Sequence, residues 1–171
     1  MIKCNRNIIE IRRKQSLMGR SQSREQAFIF VFEKEFQKDL SYEDMTSFAA
    51  ETELFAPDDF TQKLYTQTLE HLDEVDEEIK KYLKKWKLER LPKVSLAILR
   101  LSTAEILFSK DVPGGVIANE AVNLAKKYAT KEDSAFINGV LGSLIRNQKE
   151  AASEDSDAAQ QQNAADVSAE N

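Results

Sequence analysis

The sequence is poor in several kinds of residue, and each shortage excludes something. It holds one cysteine, Cys4, and one histidine, His71. A lone cysteine cannot build an internal disulfide framework, and its rarity fits a reducing compartment. One histidine cannot build a His-ligated metal cluster, and with a single cysteine and a single histidine a His-based triad with a Cys nucleophile is implausible. His71 reads as a helix-surface residue. Five glycines and three prolines are too few to punctuate many short strands. No run approaches the roughly 18 uncharged apolar residues that a membrane helix needs. Ile8, Ile9 and Ile11 are too sparse for a secretory signal, and no small-residue cleavage site follows. Gly114 and Gly115 follow Pro113 but lack the flanking strand and the Lys-Ser/Thr of a phosphate loop. Metal-ligand spacing, a Gly-x-Ser-x-Gly elbow and paired acids of the glycosidase kind are all missing. The expectation is an all-α, cytoplasmic binding protein that is not an enzyme and uses no metal and no cofactor.

What is present is apolar periodicity and segregated charge. Apolar residues make up 42%, enough for one domain with a core. The net charge of −5 hides an asymmetry: residues 1–24 carry seven Lys or Arg against Glu10, whereas residues 150–171 carry six acids and no cation. A basic arm over residues 1–19 and an acidic, low-complexity, disordered tail over 148–171 therefore flank a folded unit over 20–147. The tail reads as a solubilising segment. An acidic overall balance does not exclude nucleic acid, because the arm carries the cations.

The chain is organised around residues 111–146, which read as a helical hairpin. Pro113 suits a first helical turn. Ile117, Ala121, Leu124, Ala125 and Tyr128 share one helical face. Lys126 and Lys127 close that helix, where cations suit the dipole. A polar break at residues 130–134 precedes Phe136, Ile137, Val140, Leu141, Leu144 and Ile145, a second apolar face. Upstream, the chain enters a helix from Ser21 or Ser23; Ser23 reads as an N-cap with Gln26 three residues on, and the helix carries the stripe Ala27, Phe28, Val31, Phe32 and Phe36, widened by Ile29 and Phe30. That stripe is mostly core, with some residues left over as a partner patch. Ser41 and Asp44 cap a short helix over 41–52, whose apolar face is Met45, Phe48 and Ala49. Asp58 or Asp59 caps a long helical region reaching about Lys85, with a break near Asp73. Its apolar positions run on to Trp86, and its charges form a solvated face. From Ser95 to Phe108 the helix is apolar nearly all round and belongs in the middle of a bundle. Arg100 and Glu105 inside it need partners. Asn119 and Glu120 are the candidates, in a structural polar network without catalytic residues.

Several short motifs carry more than periodicity. Val112-Pro113, Asn119-Glu120-Ala121-Val122, Leu124-Ala125-Lys126 and Phe136-Ile137-Asn138-Gly139-Val140-Leu141 occur in that order. Leu99-Arg100 with Glu105 precedes them, and Arg20 and Arg24 open the first helix. This set resembles the NusB family of bacterial transcription antitermination factors over about residues 20–146. The resemblance implies about seven helices in two packed bundles. It implies a non-enzymatic factor that binds boxA RNA of ribosomal RNA operon leaders together with the ribosomal protein NusE. The factor then acts with the RNA polymerase antitermination complex to prevent premature termination. No membrane is involved, and the protein is a monomer or a homodimer. Carried over by position, Arg20, Arg24, Lys126, Lys127, Ser134 and Phe136 fall to single-stranded RNA. Phe32 and Ser95 fall to the protein partner; Ser95 stands where an acidic residue is frequent, and Ser23 where the family has alanine. The same family commonly begins near Met18, so translation starts at Met1 or at Met18. If it starts at Met1, Arg12, Arg13 and Lys14 add to the arm. Domains similar to NusB also occur fused to an RNA cytosine methyltransferase, but this chain has no residues left for a cofactor-binding domain. The alternative is a helical protein–protein adaptor in which RNA binding is weak or lost.

Overall fold

A helix that is apolar on every side must be covered on every side, and residues 93–108 make that demand. The computed structural model of the protein describes residues 19–52 and 57–168. In chain order its helices are α1 (Arg20–Lys34), α2 (Tyr42–Glu51), α3 (Asp59–Glu70), α4 (Leu72–Lys80), α5 (Lys93–Phe108), α6 (Gly114–Tyr128) and α7 (Lys131–Ser168). A 3-10 turn, Leu88–Arg90, precedes α5. No strand occurs among the described residues, and none of their helices is long and apolar enough to cross a membrane. The arm expected over residues 1–19 lies outside the described residues except for Gly19.

Helix α5 is the shared spine. Helices α1, α3 and α4 pack on it, with α3 also against both α1 and α4, and α6 and α7 pack on it as a second group. Ile98, Leu99 and Leu101 are essentially inaccessible, and each such side chain gains about 1.5–3 kcal/mol from leaving water. Helix α2 covers the first group through Met45 and Ala49, with Tyr42 edge-on to Phe30 at 5.4 Å. The two-bundle, all-α architecture implied by the resemblance is the one observed.

Local signals explain most boundaries. Ser41 and Asp44 form a reciprocal capping box at α2. Asp58 caps α3 by accepting from the Thr61 amide at 2.8 Å. Thr130 and Asp133 cap α7 reciprocally, at 3.1 and 3.2 Å. The break expected near Asp73 falls at His71, between α3 and α4, where the exposed imidazole stacks on Phe108 at 4.2 Å.

Four expectations are corrected. Ser23 is not an N-cap: α1 starts at Arg20, and the Ser23 hydroxyl instead donates to Asp58 at 2.8 Å. Phe48 is exposed, because α2 is short and only Met45 and Ala49 reach the core. The helical region does not reach Lys85: α4 stops at Lys80, and Lys84 takes the left-handed conformation, φ 51°, which ends helical progress. Trp86 is therefore exposed rather than part of a helical face. Finally, α7 continues through Ser168, past residue 147 where composition predicts order to end. Alanine, glutamine and glutamate are good helix formers, and extending a formed helix is far easier than starting one.

Candidate nucleic-acid interface

Helix α1 opens at Gly19, which offers no side-chain cap; the Gln22 and Ser23 amides donate to the Gly19 carbonyl, which leaves the Arg20 and Ser21 amides as the N–H groups that the helix itself does not satisfy. Arg20 is exposed and lies over the Phe60 ring, 4.4 Å from its centroid. Arg24, one turn on, is a different kind of residue. It is only 5% exposed. Its Nε donates to Glu105 Oε2 at 2.8 Å and its Nη2 to Oε1 at 2.6 Å. Burial works against its charge, but the Glu105 contacts outweigh that and hold the guanidinium pKa above its ordinary value. Arg24 is thus corrected from RNA ligand to core ion pair. Positions i and i+4 share a helical face. That face turns onto α5, so only the residue at the helix edge stays outside.

Asp58 links the start of α1 to α3. Burial alone would raise its pKa; hydrogen bonds from Thr61 and Ser23 and the nearby Arg20 charge outweigh this and hold it below its ordinary 3.8.

The end of α6 lies against α1. Lys127 and the Tyr128 hydroxyl both donate to Glu25, and Tyr128 packs on Phe28 at 5.1 Å. Burial opposes ionisation of Glu25, but these two donors outweigh it and keep its pKa low. Lys126 faces away from this contact, into an open groove of about 610 Å³ between α6 and α7. Lys131, Asn119, Asn138 and Ser134 also line it. Ser134 is buried, and its hydroxyl donates to the Thr130 carbonyl at 3.0 Å. Phe136 does not line the groove. It is half-buried and meets Trp86 edge-on at 6.4 Å. The four residues expected around this turn are therefore divided: Lys126 and Ser134 in the groove, Lys127 on α1, Phe136 beside Trp86.

Phe32 belongs to an aromatic row running from Tyr128 through Phe28 to Phe36, with Phe32 6.0 Å from Phe28 and 5.1 Å from Phe36. Exposure falls from Tyr128 to the buried Phe28 and then rises through Phe32 to Phe36, which is 62% accessible. Ser95 is corrected as a surface contact: it is fully buried in the first turns of α5. Its hydroxyl makes no hydrogen bond; burial opposes ionisation of the nearby Asp133, and the Thr130 hydroxyl and amide outweigh it and hold that carboxyl below its ordinary 3.8, with Ser95 the least of the contributors.

The expected polar network is also corrected. Glu105 pairs with Arg24, while Arg100 donates to Asp76 at 2.8 and 2.7 Å and to Glu35. Asn119 faces the groove, and Glu120 acts on Arg24 only through its field. Among the described residues, no group of His, Cys, Asp and Glu is arranged to hold a metal ion. Phe60, Glu25 and Trp86 are site residues that the sequence reading misses, whereas Phe36 belongs to the wide stripe read as a partner patch. Of the three, Trp86 carries a visible signal, set among Lys84, Lys85 and Lys87.

Comparison with known proteins points one way. The NusB family model matches residues 21–146. The transcription antitermination protein NusB of Clostridium novyi is 40% identical over 132 residues, covering 75% of this chain and 99% of that protein. The solved T. maritima NusB superposes with a TM-score of 0.65 at 31% identity, covering 75% of this chain and 92% of that one. A crystal structure of the antitermination factors NusB and NusE in complex with dsRNA contains a chain with TM-score 0.66 and 28% identity, covering 75% and 96%.

Proposed function

The chain belongs to the NusB family, and from that premise we propose that it is an RNA-binding transcription antitermination factor. Its RNA is the boxA element of ribosomal RNA operon leaders. It binds in the cytoplasm together with the ribosomal protein NusE and acts on RNA polymerase to suppress premature termination.

One observation supports this best: the end of α6 is tied to the first turns of α1 through Glu25, Lys127 and Tyr128. Arg20, the first amides of α1, Lys126 and Lys127 are thereby gathered at one end of the molecule. Cations beside a helix N-terminus suit phosphates, while base identity needs contacts of another kind. The row ending in Phe32 and Phe36 supplies the partner surface, since aromatic side chains anchor protein interfaces.

The test is fluorescence anisotropy with a boxA strand and a scrambled strand, with and without NusE, at two salt concentrations. The reading requires boxA preference that strengthens with NusE and weakens with salt. A second reading, an adaptor that has lost RNA binding, is favoured by the commitment of Arg24 to Glu105. NusE binding with equal, weak affinity for both strands would select it.

A further inference from the structure

We propose that Trp86 and Phe136, edged by Lys84, Lys85 and Lys87, form a base-stacking platform for single-stranded RNA, distinct from the α6–α7 groove. The inference rests on the RNA-binding reading above and extends it to a residue that reading does not use.

Trp86 is the only tryptophan in the chain, and it is 61% exposed. Its exposure is built in. Leu83 and Leu88, on either side, are buried and pin the loop. The Trp86 amide donates to the Leu83 carbonyl at 2.9 Å, and the Arg90 amide to the Lys87 carbonyl at 3.0 Å. The left-handed Lys84 turns the chain so that the next residues leave the helix path. Phe136 arrives from α7 and braces the indole at 6.4 Å, with the rings 67° apart. An aromatic surface held in place before binding loses little freedom on binding.

The charges around it differ from those one turn earlier. Lys80 pairs with Glu77, and Lys81 with Glu78. Lys84, Lys85 and Lys87 are exposed and form no ion pair among the described residues. The one acid in the loop, Glu89, is exposed as well. Three uncommitted cations around a flat aromatic surface match a strand that alternates phosphates with bases. An acidic peptide would use the cations but leave the indole without a planar partner.

The sole tryptophan makes the test direct. The full chain is titrated with single-stranded boxA RNA in the presence of NusE, following Trp86 emission and RNA anisotropy together. The expected result is quenching with the same midpoint as the anisotropy change. Trp86→Ala, shown to be folded by its helical circular dichroism, should bind about tenfold more weakly, and Trp86→Phe should retain part of the affinity. Replacing all three lysines with glutamine should flatten the salt dependence by about two units of log–log slope. RNA binding with unchanged Trp86 emission and unaltered affinity in Trp86→Ala would overturn the platform and leave the function standing. Emission that responds to NusE but not to RNA would also overturn it, making the loop a protein contact. No RNA binding by either signal would overturn platform and function together.

Discussion

Helix α5 carries two charges through an apolar body, and their surroundings are unlike. Glu105 meets Arg24 in a closed space, with side chains 1% and 6% exposed. Arg100 sits at the rim, 12% exposed, between Asp76 and Glu35, with the more exposed Lys93 also on Glu35. The closed pair depends on one partner on each side. The rim cluster has two acids and access to water, so losing one member leaves a substitute. Both clusters join α1 or its end to α5, and Asp76 adds α4. The closed pair fixes how the start of α1 sits; the rim cluster tolerates error.

The sharpest way to break this contrast is Arg24→Ala or Glu105→Ala. Each strands a buried charge and should cost about 3–5 kcal/mol, read as a lower urea midpoint at unchanged slope. Replacing both together, Arg24→Met with Glu105→Leu, should recover most of that loss; a double variant as unstable as the singles would refute the account. Arg100→Ala should cost less, about 2 kcal/mol, and Glu35→Gln under about 1 kcal/mol because Asp76 remains. Asp58→Ala removes a cap worth about 1 kcal/mol. Because the Asp58 pKa is held below its ordinary 3.8, its contribution is complete above that value and is lost as pH falls through the lower folded value. Melting temperatures of wild type and Asp58→Ala should therefore converge in acid. Smallest of all, Arg20→Ala should lower the melting temperature only slightly, through its contacts with Phe60 and Asp58, while weakening RNA binding and reducing its salt slope by about 0.7 per phosphate contact.

The helical faces, the α2 capping box and the Asp58 cap were legible because each is written within four residues. The Arg20–Arg24 distinction was not: it depends on Glu105, 81 positions away. The separation of Arg100 from Glu105 was missed, although helix geometry alone argues for it. Five positions along a helix turn a side chain by about 140°, so the two could not share one cluster of partners. Their identities, Asp76, Glu35 and Arg24, lie on other helices that no local spacing specifies. Trp86 was misplaced because the apolar spacing continues smoothly while the backbone turns at Lys84.

The joint between α1 and α3 carries a last consequence. The Ser23 hydroxyl donates to Asp58, and the Thr61 hydroxyl sits between two acceptors, Asp58 at 2.8 Å and the Ser23 carbonyl at 3.2 Å. Asp58 is also the cap that closes the first turn of α3. One carboxylate thus serves two helices, and fraying of α1 removes a donor that orients the cap of α3. Hydrogen exchange at the first amides of α3 should therefore follow that of α1, so the two helices open as a single cooperative unit.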